Sequence, residues 1–85
     1  MDQVQAKQLA ERFLFDEIQP EVGYPLTFCG EEESLRYWIF YYNTVQFCET
    51  GEIGFALAGN GPILVAKDDG VITTARTDIP LEGQL

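Results

Sequence analysis

The chain has 85 residues, 46% of them apolar and 13% aromatic, and a formal net charge of −9 at pH 7. That length supplies one domain, residues 1–85, and excludes a second independent core, while the apolar content excludes an intrinsically disordered chain despite the charge. Fourteen acidic against five basic residues repel nucleic-acid phosphates and anionic lipid headgroups, so the charge argues against direct contact with nucleic acid or a membrane and favours a basic protein partner.

Val4, Ala6, Leu9, Ala10, Phe13, Leu14 and Ile18 recur at three- and four-residue spacing, which predicts an amphipathic helix over about residues 3 to 18. Asp2 and Gln5 have the spacing of a capping box, so the helix starts there, and Pro20 and Gly23 are expected to end it. Val22 to Cys29 is rich in strand formers, with Pro25 confining it to an edge or breaking it. Gly30 to Ser34, containing Glu31, Glu32 and Glu33, reads as a polar turn. Leu35 to Tyr42 places aromatic and β-branched residues on both parities, Trp38, Phe40 and Tyr42 on one face and Tyr37, Ile39 and Tyr41 on the other, the pattern of a central strand covered on both sides. Val45 to Cys48 is either a short strand of its own or a continuation of that one. In Gly59-Asn60-Gly61-Pro62 the glycines permit an unusual turn and Pro62 starts the next strand without needing to donate. Asp68-Asp69-Gly70 between two apolar runs signals a hairpin. The expected fold is α+β: an N-terminal helix packed on one face of a four- or five-stranded antiparallel sheet.

Chemistry is scarce. The chain has no histidine, which removes the commonest general base, the usual catalytic triads and most zinc sites. Cys29 and Cys48 sit near no cluster of basic residues and are expected to be two buried thiols rather than a disulfide. A pair of carboxylates working as acid and base is compatible with the residue types, but so short a chain has little material left to wall a deep pocket once its core is filled. The acidic loops lack the alternating oxygen ligands of a calcium loop. No catalytic residue, cofactor or metal site is therefore assigned. The start of the chain carries no secretory signal, and no apolar run approaches the roughly 20 residues that span a bilayer, which points to a cytoplasmic protein.

From residue 36 to 82 the motifs run Trp38-Ile39-Phe40-Tyr41-Tyr42-Asn43, Phe47-Cys48-Glu49-Thr50-Gly51-Glu52, Leu57-Ala58-Gly59-Asn60-Gly61-Pro62-Ile63, then Val65-Ala66-Lys67 with Gly70 and Ile72. Their order and spacing resemble the YrhB-like, or immunity protein 35, family of bacterial polymorphic toxin systems. The resemblance implies a small α+β protein that binds and neutralises a cognate toxin, with neither cofactor nor active site. Members commonly continue into a C-terminal helix after the stretch matching Pro80-Leu81-Glu82, and Gly83 would weaken such a helix here.

The residues themselves suggest where a partner would touch. The aromatic face turned away from the helix is either covered by loop residues such as Phe55 and Leu57 or exposed for protein binding. Glu31, Glu32 and Glu33 are either a solvated hairpin tip or a means of steering a basic partner. With Tyr37, Tyr41, Glu49 and Glu52 they form the candidate partner-binding set. A small core also leaves room for self-association into a homodimer. A different reading for the same chain is a chaperone-like stress protein that holds unfolded chains through apolar surface.

Overall fold

The computed structural model describes residues 1–85. Its first helix, α1 (Gln3–Phe13), opens on the expected capping box: the Asp2 carboxylate accepts from the Gln5 N–H and the Gln5 side chain accepts from the Asp2 N–H. The helix does not stop before Pro20. One π turn (Leu14–Ile18) carries it into α2 (Gln19–Val22), with Pro20 in the first turn of α2. A proline inside a regular helix clashes with the carbonyl four residues back and leaves one acceptor unused, and a π turn just before it widens the ladder at that point. The stop comes at Gly23, whose left-handed φ of 81° lets its N–H bond the Gln19 carbonyl. Gln19 then uses its side-chain oxygen to accept from the Leu26 N–H, fixing where the first strand begins.

Four antiparallel strands follow in the spatial order β1-β2-β3-β4: β1 (Leu26–Glu33), β2 (Tyr37–Thr44), β3 (Ile63–Ala66) and β4 (Ile72–Thr74). The architecture is thus α+β, with four strands. Pro25 lies just outside β1, as its missing donor requires. Glu31, Glu32 and Glu33 lie inside β1, not in a turn; the turn is made by Ser34 to Arg36, where the Ser34 hydroxyl accepts from the Tyr37 N–H. At the other hairpin Gly70 takes a φ of 73° and Asp69 accepts from the Val71 N–H, the turn that Asp-Gly signals.

Opposite residues fix the two faces. Phe28 pairs with Tyr42, Glu31 with Phe40 and Glu33 with Trp38 on the side of α1, while Gly30 pairs with Tyr41 and Glu32 with Ile39 on the other. Cys29 is the extra residue of a β-bulge between them, and it resets the alternation of everything that follows in β1. Against the first face Ala6, Ala10 and Leu14 are fully buried on Phe40, Ile63 and Val65; the two alanines let the helix approach the sheet closely. Val4, included in the apolar stripe, is 66% exposed and outside this core. The second face, Ile39 and Leu64 with Tyr37 and Tyr41, is covered by Ala75, Leu81 and Leu85 of the C-terminal segment. Phe55 and Leu57 do not provide that cover: Leu57 packs on the α1 side. Leu81–Gln84 forms a single 3-10 turn, and Gln84 holds the segment by accepting from the Arg76 N–H and donating to the Arg76 and Ile79 carbonyls.

Two further expectations are corrected. Val45 to Cys48 is neither a separate strand nor more of β2; it belongs to a helix, α3 (Val45–Thr50). Its residue types favour strand, but Thr44 caps it, the Oγ1 atom accepting from the Phe47 N–H, and Gly51 closes it at a φ of 73°. Cys29 and Cys48 are not buried thiols: Cys29 is exposed at the bulge, and the two form a disulfide with Cα atoms 6.1 Å apart, tying α3 to β1.

Gly61 is the tightest spot in the backbone. A Cβ placed there would lie 2.0 Å from the carbonyl oxygen of buried Ala75, next to the Ala75 N–H to Pro62 carbonyl bond that extends the β3–β4 pairing. Gly61→Ala should therefore lower the urea unfolding midpoint by an amount equivalent to about 1–3 kcal/mol, the usual cost of overpacking; an unchanged midpoint would show that this crossing can open freely.

Candidate functional site

The junction between β2 and α3 is built by side chains reaching backbone. The Asn43 side-chain oxygen accepts from both the Thr44 and the Leu57 N–H groups, at 2.9 and 2.8 Å. Thr44, the one buried polar residue, donates its hydroxyl to the Phe55 carbonyl at 2.7 Å while accepting from Phe47. Asn60 donates to the Tyr42 carbonyl at 2.9 Å, anchoring the next loop. These bonds hold α3 and the 3-10 turn Ile53–Phe55 at fixed positions around a groove of about 580 Å³, walled by Tyr24, Pro25, Val45, Phe55 and Leu57, with Glu49 as its charged member. Tyr24 and Ile53, on this rim and beside it, are 63% and 84% exposed.

The candidate partner-binding residues fall in two places. Glu31, Glu32, Glu33, Tyr37 and Tyr41 lie toward the β1–β2 turn, and Glu49 and Glu52 lie on and just after α3, at the opposite end of that hairpin. β1 runs for eight residues between these ends, roughly 25 Å at the rise of a strand. The three consecutive glutamates also divide. Glu31, on the helix side, meets Lys7 at 2.9 Å and accepts from the Gln3 amide. Glu33 pairs with Lys67, whose ammonium also lies 4.7 Å from the Trp38 ring centroid. Glu32 points to the other face, beside Tyr37 and Tyr41. So the bulge turns two of the three toward lysines of the helix and the hairpin, as surface struts, and leaves Glu32 on the other face without an ion pair.

The electrostatics follow the same division. The hydrogen bond from Lys7 holds the Glu31 carboxyl below the usual carboxylate range, and Glu31 in turn raises the Lys7 ammonium. A lowered carboxyl stabilises the fold above its unfolded value near 4.5 and loses that contribution as pH falls through the folded value. Burial, with the charges of Glu32 and Glu82, pushes the Tyr41 phenol up, and burial raises Tyr42 as well. No three His, Cys, Asp or Glu side chains come together as a metal site, and no helix is long and apolar enough to cross a membrane. A second hollow, of about 420 Å³, lies between the two hairpin turns, where Arg36 and Lys67 mix with Asp68 and Asp69.

Sequence reasoning missed the Asn43–Thr44 junction and with it the groove. The signal was present as Thr44, a preferred capping residue, three positions before Phe47, but the β-rich composition of Val45 to Cys48 outweighed it.

These features define a small α+β protein with acidic outer surfaces and an apolar groove at one end of its sheet. The chain belongs to the Immunity protein 35 family, whose family model matches residues 4–83. It is also similar to the uncharacterized protein YrhB of Escherichia coli (strain K12), 42% identical over 48 residues, a match that covers 56% of this chain and 51% of YrhB. The match thus spans about half the length of that curated relative. No solved structure matches the chain.

Removing the Asn43 side chain leaves two N–H groups without their acceptor. Asn43→Ala should cost about 1–3 kcal/mol and speed amide exchange at Thr44 and Leu57; unchanged exchange at both would dissociate the groove from this residue. A second expectation concerns Tyr41. A phenol raised in the folded state stabilises it below the ordinary tyrosine value near 10 and loses that contribution as pH rises through the folded value. Tyr41 should thus titrate above its ordinary value by NMR, and Gln84→Ala, which frees the segment carrying Glu82, should bring it back down.

Proposed function

We propose that residues 1–85 act as one binding domain that holds a cognate bacterial toxin and neutralises it by protein–protein contact, in the cytoplasm of the producing cell, without catalysis and without a cofactor. The observation that carries this reading is the family match over residues 4–83. The charge supports it. Of the fourteen carboxylates only those of Glu31, Glu33 and Asp78 are in ion pairs, which leaves an outer surface able to draw in a basic protein. Glu32, Tyr37 and Tyr41 at one end, and Glu49 and Glu52 at the other, are the proposed contacts; Glu31 and Glu33 contribute through the struts they form. In a reducing cytoplasm Cys29 and Cys48 would be kept as thiols, and the bonds of Asn43 and Thr44 would then carry the placement of α3.

The alternative is a chaperone-like protein that holds unfolded chains, and exposed Tyr24, Leu35 and Ile53 are the features that would serve it. Recovery of the tagged protein from native lysate separates the two. A toxin-binding protein should elute with one stoichiometric partner whose toxicity in cells is abolished when residues 1–85 are co-expressed, with binding that weakens as salt rises. Many substoichiometric partners, together with suppressed aggregation of unrelated denatured proteins, would reject the toxin reading in favour of the other.

A further inference from the structure

We infer that the groove between Tyr24–Pro25, α3 and Phe55 receives a single aromatic or long aliphatic side chain of the partner protein, flanked by a lysine or arginine that meets Glu49. This rests on the toxin-binding reading and specifies the chemistry of the toxin segment.

Three observations select that occupant. Tyr24, Val45, Phe55, Ala56 and Leu57 give the open groove its apolar walls, and Tyr24 is left largely in water, where a protein without a partner there gains nothing from it. Its charge has one sign: Glu49 lines it and Glu52 precedes Ile53, while no lysine or arginine occurs from residue 13 to 35 or from 37 to 66, the segments that supply all of its walls. A cationic segment therefore meets attraction and no like charge, whereas a second copy of this chain, at −9, or any acidic segment would meet repulsion. The walls are also set before binding. Asn43 fixes Leu57, Thr44 fixes Phe55 and the start of α3, and Val45 donates to the Pro25 carbonyl at 3.0 Å. A preformed groove avoids ordering costs that would otherwise be subtracted from affinity. The mixed charges of the hollow between the hairpin turns offer no comparable selection.

The test uses capped tripeptides as probes against the intact 85-residue protein, followed by amide NMR. Lysine–tryptophan–lysine should shift the amides of Val45, Gln46, Glu49, Thr50 and Phe55 and bind at least about tenfold more tightly than glutamate–tryptophan–glutamate or lysine–alanine–lysine, because each comparison removes one of the two recognition elements. Glu49→Gln should weaken binding of the first peptide up to about fivefold, the range of an exposed charge pair, and Tyr24→Ser, at a lining residue that is 63% exposed and outside the core, should weaken it independently. Equal responses to the three peptides, shifts centred on Glu32 and Tyr41, or no effect of either substitution would overturn the assignment. The peptides require no toxin, so the two readings fail separately. Neutralisation that survives an unresponsive groove removes the groove alone; a responsive groove in a protein that neutralises nothing removes the toxin and leaves the groove.

Discussion

Strand β2 must be buried on both sides, and that constraint organises everything else. Phe40 and Ile39 are adjacent in sequence, point to opposite faces, and are both almost completely removed from water. Each needs a cover of its own. The helix supplies one through Ala6, Ala10 and Leu14, and the C-terminal segment supplies the other through Ala75, Leu81 and Leu85. Nine large apolar side chains nonetheless stay exposed, Leu35 and Ile53 the most of all, and of these Tyr24 and Phe55 line the groove beside α3.

Much of this was legible before any coordinates. The capping box at Asp2 and Gln5, the apolar periodicity of α1, the two-sided pattern of β2 and the Asp-Gly hairpin are local signals, each decided by a few neighbouring residues, and each agrees with the fold. What failed depended on distant partners. Val45 to Cys48 has strand-forming residues, yet Thr44 and the loop after α3 supply the cap and the bonds that make it helical. Pro20 breaks regular helices, yet a π turn absorbs it. Cys29 and Cys48 could be paired only once the bulge and α3 had been placed, and nothing in their spacing indicated either.

The candidate site shows the same boundary. Composition alone marked the chain as acidic, because charge is a sum over residues and needs no geometry. Which carboxylates remain outward is a matter of register, and there the three glutamates of β1 behaved unlike a uniform run: Lys7 and Lys67 claim two of them.

One residue decides how that scaffold presents itself. Without the bulge at Cys29, the later half of β1 would invert, sending Glu31 and Glu33 outward and turning Glu32 onto the helix. Smoothing the bulge with Cys29 kept in the ladder would thus redraw the electrostatic map of both faces while leaving the composition and the apolar core of β2 and β3 as they are, whereas deleting Cys29 would keep the present facing. That one extra residue separates which charges the sheet displays from what holds the sheet together.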